Sequence, residues 1–595
     1  MAGTDNIRFS VAGCCPIAIT AASHLPAVTD AVSIDGRTQS GFSGTPVVKL
    51  DGSGIAAIGS GLHLNAGGAS TVRGLAVIGF SFSGVTPSVG VNLDGDGNVL
   101  QGNYIGMEVD GSTAAGNRTG VQISPGSDFN VVGGTTVAAR NLISGNGGMG
   151  VNAHSSSGAG VQANEVLGNY IGVDAAGTAD KGGLGGVQLQ SLGGLVFGND
   201  ILNNVISGHL IGVSLEGAES TTVVDNLIGT SADGMSPVPN FTGVNISGAK
   251  GNQIGRGIIA FNTGSGVDVS GSTATGNAIQ PTSIHSNGGL AIDLPPSGFP
   301  NPNDAGDVDS GPNGLQNYPE IWAAHTVGGL TTVNGKLHTT AFTFVNISIY
   351  ANDICDGTHG EGKTLILTVQ GTTDASGNLM FSGTPTTVPV GKAITAIAMP
   401  LGGAGFGDTS EFSACRTVTA NSADFDGDGT NDAEESACGS DPNDPAKRPE
   451  RVDLAGDQNG DGNPSEPLPG GAAAYDCDGD GWTGTKENAI FSPSIVQDQD
   501  ACGNNGWPAD LDSGTGSVNK VTLSDIGSFF VPYHFNTDVG TFAGDHRWDL
   551  IPSGKIGIQD IGALLASVPG GTAYPWMLGG SALIFNYALG CPWAP

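Results

Sequence analysis

The chain has 595 residues, 101 of them Gly and only 6% aromatic, and its 20 Lys and Arg are set against 55 Asp and Glu for a formal net charge of -35. That length exceeds one ordinary domain, and that charge excludes a nucleic-acid partner, whose phosphates require Lys and Arg. No apolar run reaches membrane-spanning length, and many glycines with few aromatics imply thin cores and many corners.

The N-terminus, Met1-Ala2-Gly3-Thr4-Asp5, lacks a charged segment followed by an apolar one, so an export signal and a first coil are expected upstream of this sequence. Adjacent Cys14 and Cys15 read as buried thiols or as partners of a preceding segment. Short apolar strands follow at Pro26 to Asp30, Val32 to Gly36, Val47 to Gly52 and Thr71 to Leu75, with turn residues between them.

From Gly90 to Leu294 two phrases recur. Asn-Tyr-Ile-Gly stands at Asn103 to Gly106 and Asn169 to Gly172, with variants beginning at Asn141, Asn204, Asn226 and Gly257. Gly-Val-x-apolar starts at Gly90, Gly120, Gly150, Gly186, Gly212, Gly243 and Gly266, at intervals of 30, 30, 36, 26, 31 and 23 residues. Such a period marks a solenoid. Alternating residues such as Val121 and Ile123 place one face inward, while Gly and Asn accept the left-handed conformation of a sharp corner. One unit cannot bury its face alone, and stacking at about 4.8 Å makes a continuous core. These residues, with Ile34 to Gln39 as an entry phrase, resemble the right-handed parallel β-helix repeat family of the pectate-lyase-like superfold, over roughly the first half of the chain.

Glu108 to Thr119, Asp174 to Gly185 and Ser231 to Thr242 interrupt the rhythm after Ile-Gly phrases and are expected to project from one corner of alternate coils, as a binding ridge or as solvated decoration. The superfold raises polysaccharide cleavage, which needs facing carboxylates, or a base beside Ca2+. Only nine Lys and Arg lie before residue 300, and none recurs beside a carboxylate cluster. Asp94 and Asp96, in Leu93-Asp94-Gly95-Asp96-Gly97, and Asp293, in Ile292-Asp293-Leu294, are the catalytic candidates. The first two also suit a turn or a Ca2+ contact, and Asp293 a solvated face. His209 and His285 also sit on or near coil strands.

Leu294-Pro295-Pro296 and the run through Asn301, Asp304, Asp307, Asp309 and Asn313 read as a cap or linker. The run resembles the acidic segment closing helices of this family, and its carboxylates offer oxygen to Ca2+ without a fixed ligand spacing. Plain alternation then predicts about six strands between Thr331 and Thr417, an immunoglobulin-like sandwich serving as spacer or sugar binder, with Cys355 and Cys415 placed to form a disulfide.

Beyond it, Asp424, Asp426, Asp428, Thr430, Asp432 and Glu435 occupy loop positions 1, 3, 5, 7, 9 and 12 of a Ca2+ loop, with Gly429 at 6. Asp476, Asp478, Asp480, Trp482 and Glu487 repeat it, with water expected at the place of Gly484, and Asp457, Asn459 and Asp461 give a first half. These loops resemble thrombospondin type 3 repeats. Residues 421–595 carry 26 acidic and 7 basic side chains, a charge that bound cations would relieve. Cys438 with Cys477, and Cys502 with Cys591, are candidate further bonds among several connectivities. Val521 to Gly527 is echoed by Ile556 to Gly562, which resembles dockerin, although the carboxylates expected upstream are mostly missing. Calcium or a cohesin-like protein partner there is set against a structural helical pair.

The expectation is an all-β chain: β-helix with its cap over 1–317, β-sandwich over 318–419, calcium repeats over 420–500 and a small helical dockerin-like module over 501–595. The expected role is extracellular or cell-surface binding of glycan or cell-wall material, or assembly. The alternative is a polysaccharide lyase or glycoside hydrolase working on the helix flank.

Overall fold

A computed structural model describes residues 5–420, apart from 14, 56–58, 67, 82–87, 280, 328, 356–359 and 403–404, and beyond them 537–538 and 555–556. Residues 1–419 form one compact unit and 420–595 a second. In the second, Thr537–Asp538 pairs antiparallel with Lys555–Ile556. The calcium-loop residues, the further cysteines and the rest of the dockerin-like module lie outside the described residues.

The first unit begins as a parallel β-helix. Each coil gives one strand to each of three parallel sheets, here A, B and C in chain order, with ten, ten and nine strands. The Asn-x-Ile phrase builds sheet B, whose strands are only two residues long at Tyr104–Ile105, Leu142–Ile143 and Tyr170–Ile171. The Gly-Val phrase builds sheet C, with strands of six residues at Met149–His154, Gly185–Gln190, Ile211–Glu216 and Thr242–Ser247. Inward residues stack like on like: Ile105, Ile143, Ile171, Ile206, Ile228 and Ile259 are in register and buried. The phrase glycine is required by close approach: a Cβ on Gly150 would lie 2.7 Å from the Gly186 carbonyl oxygen and 2.8 Å from Ile171 Cγ2.

The asparagines do something other than the expected corner turning. At many corners the left-handed residue is the one before Asn, as at Phe129, Ala163 and Asp225 with φ of 56°, 50° and 59°. The following side chain then turns inward. Asn103 Nδ2 donates to Asn141 Oδ1, Asn141 Nδ2 to Asn169 Oδ1, and Asn169 Nδ2 to Asn204 Oδ1, at 3.1, 3.0 and 3.1 Å. Matching ladders run through Asn98, Asn130, Asn164 and Asn199, and through Asn240, Asn262 and Asn287. A buried amide with four hydrogen-bonding capacities fits this position because each corner has backbone groups that no strand can satisfy.

The three insertions leave alternate coils at one corner, as expected, but fold back instead of projecting. Ala175 N donates to Gly111 O and Ala232 N to Gly177 O, both at 2.8 Å, so each rests on the next. Beneath them Val173, Val205 and Val238 form a small buried cluster with Tyr170, Leu227 and Ala232 packed against it. The outward face of the middle of sheet B, from Tyr104 to Leu227, is therefore apolar and covered.

The sandwich has Glu320–Val327, Leu330–His338 and Asn378–Gly383 in one antiparallel sheet, and Thr364–Thr372, Phe344–Asn352, Ala393–Gly402, Gly405–Phe406 and Arg416–Thr417 in the other. The last strand is only Arg416–Thr417, because residues before it turn onto the open end of the solenoid. There Glu411 accepts from Leu294 N at 2.8 Å and Asn301 N at 2.6 Å. Glu361 accepts from Ser286 N, Asn287 N and Asn287 Nδ2, closing one ladder, and Asp408 accepts from Gly276 N. Tyr350 and Phe412 join the solenoid core. The disulfide Cys355–Cys415 is present.

Candidate functional site: the outer face of sheet C

With the middle of sheet B covered, sheets A and C present the outward strand faces there. Outward positions of sheet A mix Val99, Val131, Leu167 and Leu202 with charge. Those of sheet C are polar throughout its length. One column reads His63, Asn92, Gln122, Asn152, Gln188, Ser214, Asn245, Asp268, Asp293 in direct register. A second reads His154, Gln190, Glu216, Ser247, Ser270. Rows about 4.8 Å apart over nine strands give a strip of roughly 38 Å.

The strip is pre-organised by hydrogen bonds between rows. Asn152 Nδ2 donates to Gln122 Oε1 at 2.9 Å, and Gln122 Nε2 lies 2.9 Å from His154 Nδ1. Glu216 receives Gln188 Nε2, Gln190 Nε2 and Ser214 Oγ at 2.8, 2.6 and 3.0 Å. Burial pushes the His154 imidazole down, favouring its neutral form. Burial, and then repulsion from Asp293, push the Asp268 carboxyl up. Neither column contains Lys or Arg. Along one border Leu184, Leu210 and Phe241 are exposed, Phe241 by 56%.

The three catalytic candidates are not brought together. Asp94 bonds His63 Nε2 at 2.8 Å and Asn65 Nδ2 at 3.1 Å. Asp96 turns away and accepts from Asp128 N at 2.9 Å. Asp293 is buried seven strands further on, roughly 34 Å away by strand spacing, and accepts from Ser265 Oγ at 2.8 Å and Gly298 N at 3.0 Å. His209 is buried within a corner ladder; burial pushes its imidazole down to about 4, and Gly183 N donates to its Nδ1. His285 packs edge-on to Phe261. Of the residues that sequence reasoning missed, Gln122, Asn152 and Gln188 sit two places after their phrase glycines and Glu216 four places after Gly212, so the repeat itself held the signal. Among the described residues one group of carboxylates, Asp304, Asp307 and Asp309, could share a cation.

No family model matches the chain, and no curated protein matches it. Among solved structures it is similar to a periplasmic alginate epimerase, at 12% identity over 47% of this chain and 74% of that one, with a TM-score of 0.22. It is also similar to the ORF18 protein of Geobacillus virus E2, at 11% identity over 63% and 69%, TM-score 0.23. A third is a tailspike of the Acinetobacter baumannii phage Fri1, a capsular polysaccharide depolymerase, at 11% over 66% and 67%, TM-score 0.17. At these values none of the three assigns a role to any residue here. Among the described residues no helix is long and apolar enough to cross a membrane.

Proposed function

We propose that sheet C binds a neutral glycan chain laid along the solenoid, in an extracellular or cell-surface setting. The observation that carries this is the pair of amide, hydroxyl and carboxylate columns on an uncovered face. Sugar hydroxyls both donate and accept, as Asn, Gln and Ser do, and a row repeat of about 4.8 Å is of the order of one sugar residue. Neutrality follows from the missing Lys and Arg. A polyuronate would set its carboxylates against Asp94, Glu216 and Asp268 with no Lys or Arg in the columns to pair them. The border of Leu184, Leu210 and Phe241 offers apolar surface to sugar C–H faces. The Cys355–Cys415 disulfide supports an oxidising compartment. Ca2+ at the 424–435 and 476–487 loops, and a protein partner at the C-terminal module, belong to the same reading and rest on sequence spacing alone.

Cleavage on this flank is the second reading, favoured by Asp268 beside Asp293 on neighbouring strands. The test retains protein on neutral xylan, glucan and mannan and on polygalacturonate and alginate, while assaying released sugar ends. Gln122→Ala with Gln188→Ala should weaken neutral-glycan retention at least tenfold, about 1.4 kcal/mol, and Thr222→Ala on sheet A should leave it unchanged. Retention on no glycan, or retention indifferent to the double substitution, overturns the proposal; released ends select the second reading.

A further inference from the structure

Leu184, Leu210 and Phe241, the exposed apolar border of the polar strip, stand one place before the strands Gly185–Gln190, Ile211–Glu216 and Thr242–Ser247. Their backbones meet at one buried residue. Leu184 follows Gly183, whose N donates to His209 Nδ1 at 3.0 Å and whose O accepts from Leu210 N at 3.2 Å. Leu210 follows His209 itself. Phe241 N donates to His209 O at 2.9 Å, and His209 N donates to Asn240 Oδ1 at 3.0 Å. All three border positions are therefore tied through His209.

His209 takes the place that Asn fills in the following rungs of its ladder. There the side-chain oxygen accepts a backbone N–H from the coil before, as Asn262 Oδ1 does from Asn240 N at 3.3 Å. An amide does this at any pH, whereas an imidazole does it only while neutral. A backbone N–H can only donate, so Nδ1 carries a lone pair and the ring proton sits on Nε2. A second proton has to land on Nδ1, where it displaces Gly183. The ring is tightly enclosed: a Cβ on Gly186 would lie 3.2 Å from its Cδ2, and there is no room for one on Gly172 beside Nε2. Among the described residues the charged group acting on it is Asp180 of the covering insertion, which also accepts from Gly182 N at 2.8 Å. The flanking rungs, Gly183 and Asn240, are uncharged. Burial outweighs Asp180 and pushes the imidazole down to about 4.

We propose that His209 is the positioning residue of the apolar border, and that its protonation releases the border so that the strip lets go of glycan in acid. The second half rests on the glycan reading above. The adjacent Gly182 and Gly183 give the segment freedom to move once its bond is gone, and Leu184 moves with it. The folded state favours the neutral ring, so the hold is intact at neutral pH and is lost as pH falls through about 4.

The test follows the full chain from pH 7 to pH 3.5 by two readouts. Hydrogen-exchange protection of the Leu184, Leu210 and Phe241 amides should fall at least tenfold, with a midpoint near pH 4, while Leu100 and Val132 on sheet A keep theirs. Retention on xylan, glucan and mannan columns should fall over the same range. His209→Asn restores the amide rung, so its border amides should stay protected and it should keep at least tenfold more of its retention at pH 3.5 than the parent. His154, on the strip itself, is present in both chains, so the difference belongs to His209. Should the variant fail to fold, the ring 15N resonances of His209 in the parent decide, with the proton on Nε2 at pH 7 and a titration that coincides with loss of Leu184 protection. Border amides still protected at pH 3.5, or an Asn variant with the parent's profile, overturns the switch. Retention that survives release of the border overturns its coupling to binding. Absence of retention at every pH removes the glycan reading, and exchange still decides the switch.

Discussion

Replacing Asn141 with Ala tests whether the buried amide ladders hold the solenoid. Asn141 is wholly buried. Its Oδ1 accepts from Asn103 N and Asn103 Nδ2 at 3.0 and 3.1 Å, and its Nδ2 donates to Leu100 O and Asn169 Oδ1 at 2.9 and 3.0 Å. Four bonds at about 1 kcal/mol each give about 4 kcal/mol. Asn103 Nδ2 keeps Val72 O, which reduces the loss, while the Asn103 backbone N–H is left without an acceptor, which restores it. The control is Asn92→Ala on the outer face, where one bond from Ser124 Oγ at 2.9 Å is lost beside water, for about 0.5 kcal/mol. A solenoid opens coil by coil, so hydrogen exchange is the better assay. Protection of the Asn103 and Leu142 amides should fall about a thousandfold, the equivalent of about 4 kcal/mol. A loss no larger than that of Asn92→Ala would refute the reasoning, because water would then be serving the corner.

Two more outcomes follow from the capped end and the sandwich. Burial pushes the Glu411 carboxyl up from 4.5 to about 7. Its folded pKa lies above the unfolded one, so its stabilising share is complete below pH 4.5 and is lost as pH rises through 7, by about 3 kcal/mol. Melting at pH 5 and pH 8 should show a larger fall for the parent than for Glu411→Gln, and equal falls would contradict the cap. Cys355 and Cys415 are 60 residues apart, and their bond restricts the unfolded chain by about 4 kcal/mol. Cys355→Ser/Cys415→Ser should lower the sandwich melt while amide protection in the middle coils stays unchanged.

Sheets B and C were legible in the sequence because each carries a repeated phrase, and six of the seven phrase glycines fall on strands of sheet C, with Gly266 immediately before the strand Val267–Ser270. Sheet A was legible only near its start, at Val32–Asp35 and Thr71–Arg73, since later strands such as Val131–Gly133 and Glu165–Leu167 share no spelling. The Asn of the sheet B phrase was visible but misread: a side chain bonding a coil some 30 residues away looks, in sequence, like any corner residue. Glu361, Asp408 and Glu411 were invisible as caps because their partners lie 74 to 132 residues upstream. The polar strip emerges only when phrases are aligned glycine on glycine, which converts a run of ordinary Asn, Gln and Ser into columns. Asp94 and Asp96, adjacent in the chain's alternation, point to different partners, so proximity in sequence overstated their partnership.

The sandwich carboxylates answer the backbone donors of the last coil, and the ladders below them are nearly identical from rung to rung. Ends and middle are thus separable parts. Duplicating one segment of about 30 residues would add one rung, about 4.8 Å of height and one more pair of outward side chains, while leaving the cap untouched. Length along sheet C behaves as a ruler graduated in whole coils, so lineages carrying more or fewer coils would differ in the number of sugar units spanned before they differed in how any one unit is held.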